Sequence, residues 1–159
     1  DSRFALETNF DPEMISSIRT RWPGQLILKG IQHPDDAVLA KSLGADGVVV
    51  SAHGGRNVDS LAIPLVVLPQ VRAAVGEKML ILADSGVRRG SDIAKLIGAG
   101  ADAVLAGRIF LWALAAGGAA GVQHAFGMLV DELKGFMALA GIRALGELRQ
   151  ARWLDDVPL

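Results

Sequence analysis

The sequence contains no cysteine and no tyrosine, and its aromatics come to three Trp and five Phe in 159 residues. Without cysteine there is neither a disulfide framework nor a thiolate metal centre. Neither sign of charge is in excess: 16 Lys and Arg face 17 Asp and Glu, a formal net charge of −1. So balanced a surface has no basic field to draw in nucleic acid, and no DNA or RNA partner is expected. Residues Asp1-Ser2-Arg3-Phe4 show neither a starting Met nor a signal-peptide pattern. The longest apolar stretch, 110–122, reads as too short and too rich in Gly and Ala to cross a membrane. No carboxylate cluster accompanies Asp46 or Asp102, so both are read as turn residues and no metal site is expected.

What the sequence does have is a repeating alternation. Four short apolar runs stand out: Leu26-Ile27-Leu28, Val48-Val49-Val50, Met79-Leu80-Ile81-Leu82 and Ala103-Val104-Leu105-Ala106. They are branched and not alternating, as expected of parallel strands buried on both faces. Helical segments are expected between and after them, over 34–43, 65–74, 91–97, 121–140 and 144–151, with Ser91 as an N-cap. The phrases Leu43-Gly44-Ala45-Asp46-Gly47-Val48 and Gly98-Ala99-Gly100-Ala101-Asp102-Ala103-Val104 repeat one grammar: helix end, Gly-Ala-Asp turn, strand start. This is an α/β chain with a parallel sheet and right-handed crossovers. A closed (β/α)₈ TIM barrel takes about 250 residues, so four strands make either a small open sheet or half of a barrel.

The strand ends favour half of a barrel. The runs lead into Lys29-Gly30, Ser51-Ala52-His53-Gly54-Gly55-Arg56, Asp84-Ser85-Gly86-Val87-Arg88-Arg89-Gly90 and Gly107-Arg108. Each delivers polar groups with glycine nearby, and (β/α)₈ enzymes build their active sites from such ends. The last two ends suit a phosphate. Glycines let backbone approach an anion, Arg88 and Arg108 supply forked cations, and the helix after Gly90 is expected to aim free N–H groups at it. His53 suits proton transfer near neutral pH, and Arg56 beside it suits a substrate carboxylate. Lys29 at a strand end suits negative charge on a cofactor or intermediate. His33 and His124 read as solvated or capping residues, and Trp22, Trp112 and Trp153 as packing residues.

In order and spacing these motifs resemble the FMN-dependent 2-hydroxy acid oxidase and dehydrogenase family, which includes glycolate oxidase, bacterial L-lactate dehydrogenase and mandelate dehydrogenase. The resemblance runs from about Asn9 to the last helix. It implies the C-terminal half, about strands 5–8, of a (β/α)₈ barrel with extra C-terminal helices. All of 1–159 would then belong to one FMN-binding barrel domain, with 1–10 as the end of a mobile loop. It implies His53 as catalytic base, Arg56 as ligand of the substrate carboxylate, and Lys29 beside flavin N1. Ser51 would lie by the flavin ring and Asp84 on the ribityl chain. Ser85, Gly86, Arg88, Gly107 and Arg108 would cradle the phosphate. Ala52, Asn57 and Ile109 depart from the family's usual Asn, Gln and Pro.

The activity so implied is flavin-dependent oxidation of an (S)-2-hydroxy acid, of the lactate, mandelate or glycolate class, to its 2-oxo acid. The implied partners are the small acid, a companion N-terminal half of the barrel, further copies in a homo-oligomer such as a tetramer, and an electron acceptor such as oxygen or a quinone. The implied location is cytoplasmic, with peripheral association at the inner face of a bacterial membrane left open. Two other readings share some of the motifs: another FMN- or phosphate-binding barrel, such as an isomerase or nucleotide dehydrogenase, and a non-catalytic half-barrel flavin module.

Overall fold

The computed structural model describes residues 10–151 and 153. Apart from Phe10, the expected loop end at 1–10 lies outside the described residues. The elements are α1 (Pro12–Arg21), β1 (Ile27–Ile31), α2 (Pro34–Ser42), β2 (Gly47–Val50), a 3-10 turn (His53–Gly55), α3 (Pro64–Val75), β3 (Leu80–Ala83), α4 (Gly90–Gly98), β4 (Ala103–Val104), α5 (Arg108–Leu139) and a second 3-10 turn (Leu145–Arg149). The four strands form one parallel sheet in the order β1-β2-β3-β4. Strands in sequential order, each separated from the next by a helix, are the arrangement of a (β/α) barrel arc.

The register separates two faces. Leu28, Val48 and Ile81 align, as do Lys29, Val49, Leu82 and Ala103. Val48, Val50, Ile81 and Ala83 pack into the core with Ala37, Ala40, Leu68, Val71, Ala94 and Ile97 of the helices. The row holding Lys29 and Leu82 lies on the opposite face, only partly covered. Of the four strands, only β2 is buried throughout. The expectation of burial on both faces fails for β1, β3 and β4, because β1 and β4 are sheet edges and one face has no covering layer among the described residues.

Each Gly-Ala-Asp turn is a latch. Asp46 N–H donates to Leu26 O at 2.8 Å, and Asp46 Oδ2 accepts from Leu26 N–H at 2.8 Å and from Arg19 of α1 at 3.0 Å. Asp102 repeats the pattern with Ile81: it donates at 2.7 Å and accepts at 2.8 Å, and its Oδ2 accepts from Arg72 of α3 at 2.7 Å. Both carboxyls lie below the usual carboxylate range. For Asp46 the first cause is the Leu26 N–H, helped by Arg19. At Asp102 burial pushes the other way and is outweighed by the Ile81 N–H, Arg149 and Arg72. These carboxylates are consumed by turn and helix, as the sequence suggests.

Several boundaries differ from expectation. Helix α1 was not foreseen, although Asp11 caps it through Met14 N–H at 2.8 Å and Pro12 opens it. Strand β1 runs past Leu28, so Lys29 and Gly30 lie inside it, with a register shift between Lys29 and Ile31. The cap of α4 is Arg89, not Ser91. The segment expected helical over 144–151 is a 3-10 turn. His33 caps α2, its Nδ1 accepting from Asp35 N–H at 3.2 Å. Trp153 stacks on Phe136 at 6.1 Å between ring centroids, but Trp22 and Trp112 are more than half exposed rather than packed.

Helix α5 spans 32 residues and is long and apolar enough to cross a membrane, contrary to the reading of 110–122 alone. Gly117 and Gly118 are non-helical, however, and a Cβ on Gly121 would press on Ala113 O. In a straight helix those two residues stand about 12 Å apart, so α5 folds back on itself at the glycines and is not one straight span.

Candidate active site

The carboxyl ends of all four strands open into one cavity of about 820 Å³. Its lining takes in Lys29 from β1, His53, Gly54, Arg56 and Asn57 after β2, Asp84 to Arg88 after β3, and Leu105 to Arg108 after β4. Of the ten residues expected to form the site, nine line this cavity; the tenth, Ser51, is fully buried beneath it.

At the floor lies a polar network. Lys29 Nζ is 3.0 Å from Asp84 Oδ2 and donates to Ser51 Oγ at 2.8 Å. Ser51 Oγ also accepts from His53 N–H at 3.0 Å. Ser85 Oγ donates to Asp84 Oδ1 at 2.8 Å and accepts from Ala52 N–H at 3.2 Å and Gly54 N–H at 2.9 Å. Burial pushes the Asp84 carboxyl up, but hydrogen bonds from Ser51 and Ser85 and the Lys29 ammonium outweigh it and hold it below the usual range. Asp84 is thus the fixed anion that holds Lys29 in place.

The turn that carries His53 is tight. His53 has φ +51° and Gly54 φ +67°. A side chain on Gly54 would meet Arg108 Nη2 at 2.9 Å, and one on Gly30 would meet His53 Cε1 at 3.0 Å. The two glycines therefore leave room for the imidazole and for Arg108 to close over the turn. His53 and Arg56 themselves are exposed to the cavity.

The other end of the cavity is rich in arginine. Arg19, Arg72, Arg89 and Arg149 each pair with a carboxylate. Arg56, Arg88 and Arg108, which line the cavity, form no ion pair among the described residues. A Cβ added to Gly86 or Gly107 would meet nothing within 4 Å beyond its chain neighbours, so the backbone of these two cavity-lining glycines is open. That combination fits a phosphate with a dianionic charge.

The helix start expected to aim N–H groups at an anion is partly engaged by carboxylates. At α4 the N–H groups of Arg88 and Arg89 donate to Asp92 at 3.0 Å each, and Gly90 N–H donates to Glu132 Oε2 at 2.8 Å. Two protein carboxylates already occupy that terminus. The start of α5 faces the cavity instead, and among the described residues the Arg108 and Ile109 N–H groups have no acceptor. Glu132 lies 42 residues from Gly90, and no local signal could have announced it.

Comparison with known proteins follows the same residues. A family model described as FMN-dependent dehydrogenase matches residues 2–155. The chain is 46% identical over 147 residues to an L-lactate dehydrogenase of Bartonella quintana, covering 90% of this chain and 38% of that protein. It is 41% identical over 157 residues to an L-lactate dehydrogenase of Caulobacter vibrioides, covering 96% and 41%. Among solved structures, a lactate oxidase of Pediococcus acidilactici superposes with a TM-score of 0.89 at 40% identity, covering 94% of this chain and 42% of that one. A mandelate oxidase solved with benzoyl-formic acid gives a TM-score of 0.85 at 37% identity, covering 94% and 48%. The chain spans less than half the length of each.

Proposed function

The chain belongs to the FMN-dependent dehydrogenase family, and from that premise we propose that it contributes the flavin-phosphate cradle, the base and the carboxylate clamp for oxidising an (S)-2-hydroxy acid to its 2-oxo acid. The observation that carries the reading is one cavity lined by His53, by the open glycines Gly86 and Gly107, and by three arginines that form no ion pair among the described residues.

FMN, when bound, supplies the two-electron acceptor, and the chain's part is to bind and orient. Arg88 and Arg108 would hold the phosphate, with the Gly86 and Gly107 backbone close to it. Asp84 and Ser85 would serve the chain between phosphate and ring, and Lys29 and Ser51 would serve the ring. Arg56 takes the substrate carboxylate in a forked contact. His53 would take one proton from the substrate, and the second hydrogen and the two electrons would pass to the flavin. The Lys29 ammonium, steadied by Asp84, would stabilise negative charge on a cofactor beside it.

The partner with most support is a companion half that completes the barrel. Strands β1 and β4 each have one unpaired edge within the sheet, and such edges need cover. An apolar groove of about 410 Å³ runs beside β1, lined by Phe10, Ile15, Ile18, Ile27, Leu28 and Leu39. An oligomeric assembly, an oxygen or quinone acceptor, and a cytoplasmic or membrane-peripheral location belong to the same proposal.

The test is an anaerobic visible spectrum of the FMN-loaded protein before and after L-lactate, glycolate or (S)-mandelate. Bleaching of the flavin band is expected, and the rates rank the acids. His53→Gln should keep flavin and lose bleaching. Flavin that no hydroxy acid bleaches overturns the proposed substrate class and returns the isomerase and module readings.

A further inference from the structure

Two residues other than glycine have positive φ among the described residues, His53 at +51° and Ser85 at +73°. They lie on different strand ends, and the Ser85 hydroxyl accepts from the N–H groups on either side of His53. L-residues with side chains keep such a conformation only where their surroundings enforce it. For His53 the enforcing contacts are backbone hydrogen bonds to two serines. The three successive N–H groups of residues 52, 53 and 54 all end on serine hydroxyls: Ala52 and Gly54 on Ser85, His53 on Ser51.

A hydroxyl has one proton to give and two lone pairs to receive. Ser85 spends its proton on Asp84 Oδ1 at 2.8 Å and receives the Ala52 and Gly54 N–H groups at 3.2 and 2.9 Å. All three positions are filled, and none is left for a phosphate oxygen. Asp84 sets the direction. An ionised carboxylate only accepts, so the serine must donate to it and offer its lone pairs to the turn. The hydroxyl of Ser85 therefore faces the His53 turn, although its backbone lines the cradle end of the cavity.

We propose that Ser85 is a positioning residue for His53: oriented by Asp84, it holds the backbone on either side of His53, so that His53 keeps the left-handed conformation that presents the imidazole to the substrate. The inference rests on the reading of His53 as the base. It also separates two jobs within one motif, Gly86 and Arg88 for the phosphate and Ser85 for the neighbouring strand's loop. Displacing a base by about 1 Å can cost on the order of a hundredfold in rate.

The experiment compares Ser85→Ala and Ser85→Gly with wild type in the FMN-loaded protein. Alanine removes the hydroxyl and keeps the constraint on a side chain at positive φ; glycine removes the hydroxyl and relieves that constraint, which covers the case where alanine fails to fold. Three quantities are read: amide hydrogen exchange across 52–54, the FMN dissociation constant, and kcat apart from KM. The expected result is exchange faster by about tenfold or more at Ala52 and Gly54, FMN affinity within about twofold, and kcat down by about ten- to a hundredfold with KM little changed. Unchanged exchange at Ala52 and Gly54 overturns the proposal. So does loss of FMN affinity with kcat restored on reloading, which would make Ser85 a phosphate ligand, and so does faster exchange with normal kcat. A wild type that no hydroxy acid reduces brings down the functional reading and the catalytic half of this inference with it; exchange would still show whether Ser85 holds the turn.

Discussion

Replacing Gly90 with alanine tests how closely α4 and α5 approach, and through that the placement of the cradle. A methyl group there would lie 2.6 Å from Leu129 O and 2.7 Å from the Glu132 carbonyl carbon, and would press on Leu133 N. All three are backbone atoms of α5, so no side chain can swing aside. Restoring ordinary contacts of about 3.5 Å requires the helices to part by about 1 Å. Overpacking of this kind costs about 1–3 kcal/mol, and stretching the Gly90 N–H bond to the Glu132 carboxylate adds about 1 kcal/mol. Taking about 3 kcal/mol in all, the melting temperature should fall by about 9 °C for a chain of this size, read by circular dichroism. Because α5 begins at Arg108, FMN affinity should weaken as well. Gly135→Ala is the control: its added Cβ meets nothing within 4 Å, and the helix gains about 0.5–1 kcal/mol. A Gly90→Ala protein that melts at or above the wild-type temperature refutes the close approach.

Three further outcomes are expected. Arg72→Met should cost about 3 kcal/mol in urea unfolding, because the buried guanidinium serves Gly76 O, Met79 O, Gly100 O and Asp102 together; a loss below about 1 kcal/mol would contradict that. Asp84 should titrate below its ordinary 3.8, followed by carboxyl infrared difference spectra against Asp84→Asn. Since its folded pKa is lowered, the stability it contributes is fully present above pH 3.8 and is lost as pH falls through the folded value. Lys29→Met should move that titration upward, and no movement would mean that Lys29 does not hold Asp84. Arg88→Met and Arg108→Met should each weaken FMN binding by about ten- to a hundredfold, the equivalent of one charge-assisted hydrogen bond, measured by flavin fluorescence quenching; unchanged affinity in both would remove the cradle assignment.

Much of the site was readable before the fold, for a physical reason. A parallel β-α alternation sends every strand's carboxyl end to the same rim, so Lys29, His53, Asp84 and Arg108 could be brought together by counting strands. The turn role of Asp46 and Asp102 was readable because the local phrase repeats. What stayed hidden depends on partners distant in sequence. Glu132 closes the start of α4 from 42 residues away, and Ser85 reaches Ala52 and Gly54 from 33 and 31 residues away. Helix α1 was missed for a different reason: Asp11-Pro12 marks its start, but it buries only Ile15 and shows little apolar periodicity. The doubling back of α5 hung on Gly117-Gly118, which reads equally well as flexible punctuation or as part of a continuous helix.

The two arginine latches divide the chain into equal modules. Arg19 on α1 binds the turn before β2, and Arg72 on α3 binds the turn before β4. Each latch therefore closes a helix-strand-helix-strand unit at its base, and each unit brings both halves of its own fastening. Such a unit could be copied in tandem with its closure intact, and the next copy would need only a sheet edge to add to. The groups that line the cavity, on the opposite rim, take no part in the fastening, so the upper loops could diverge in chemistry while the lower turns kept the same words.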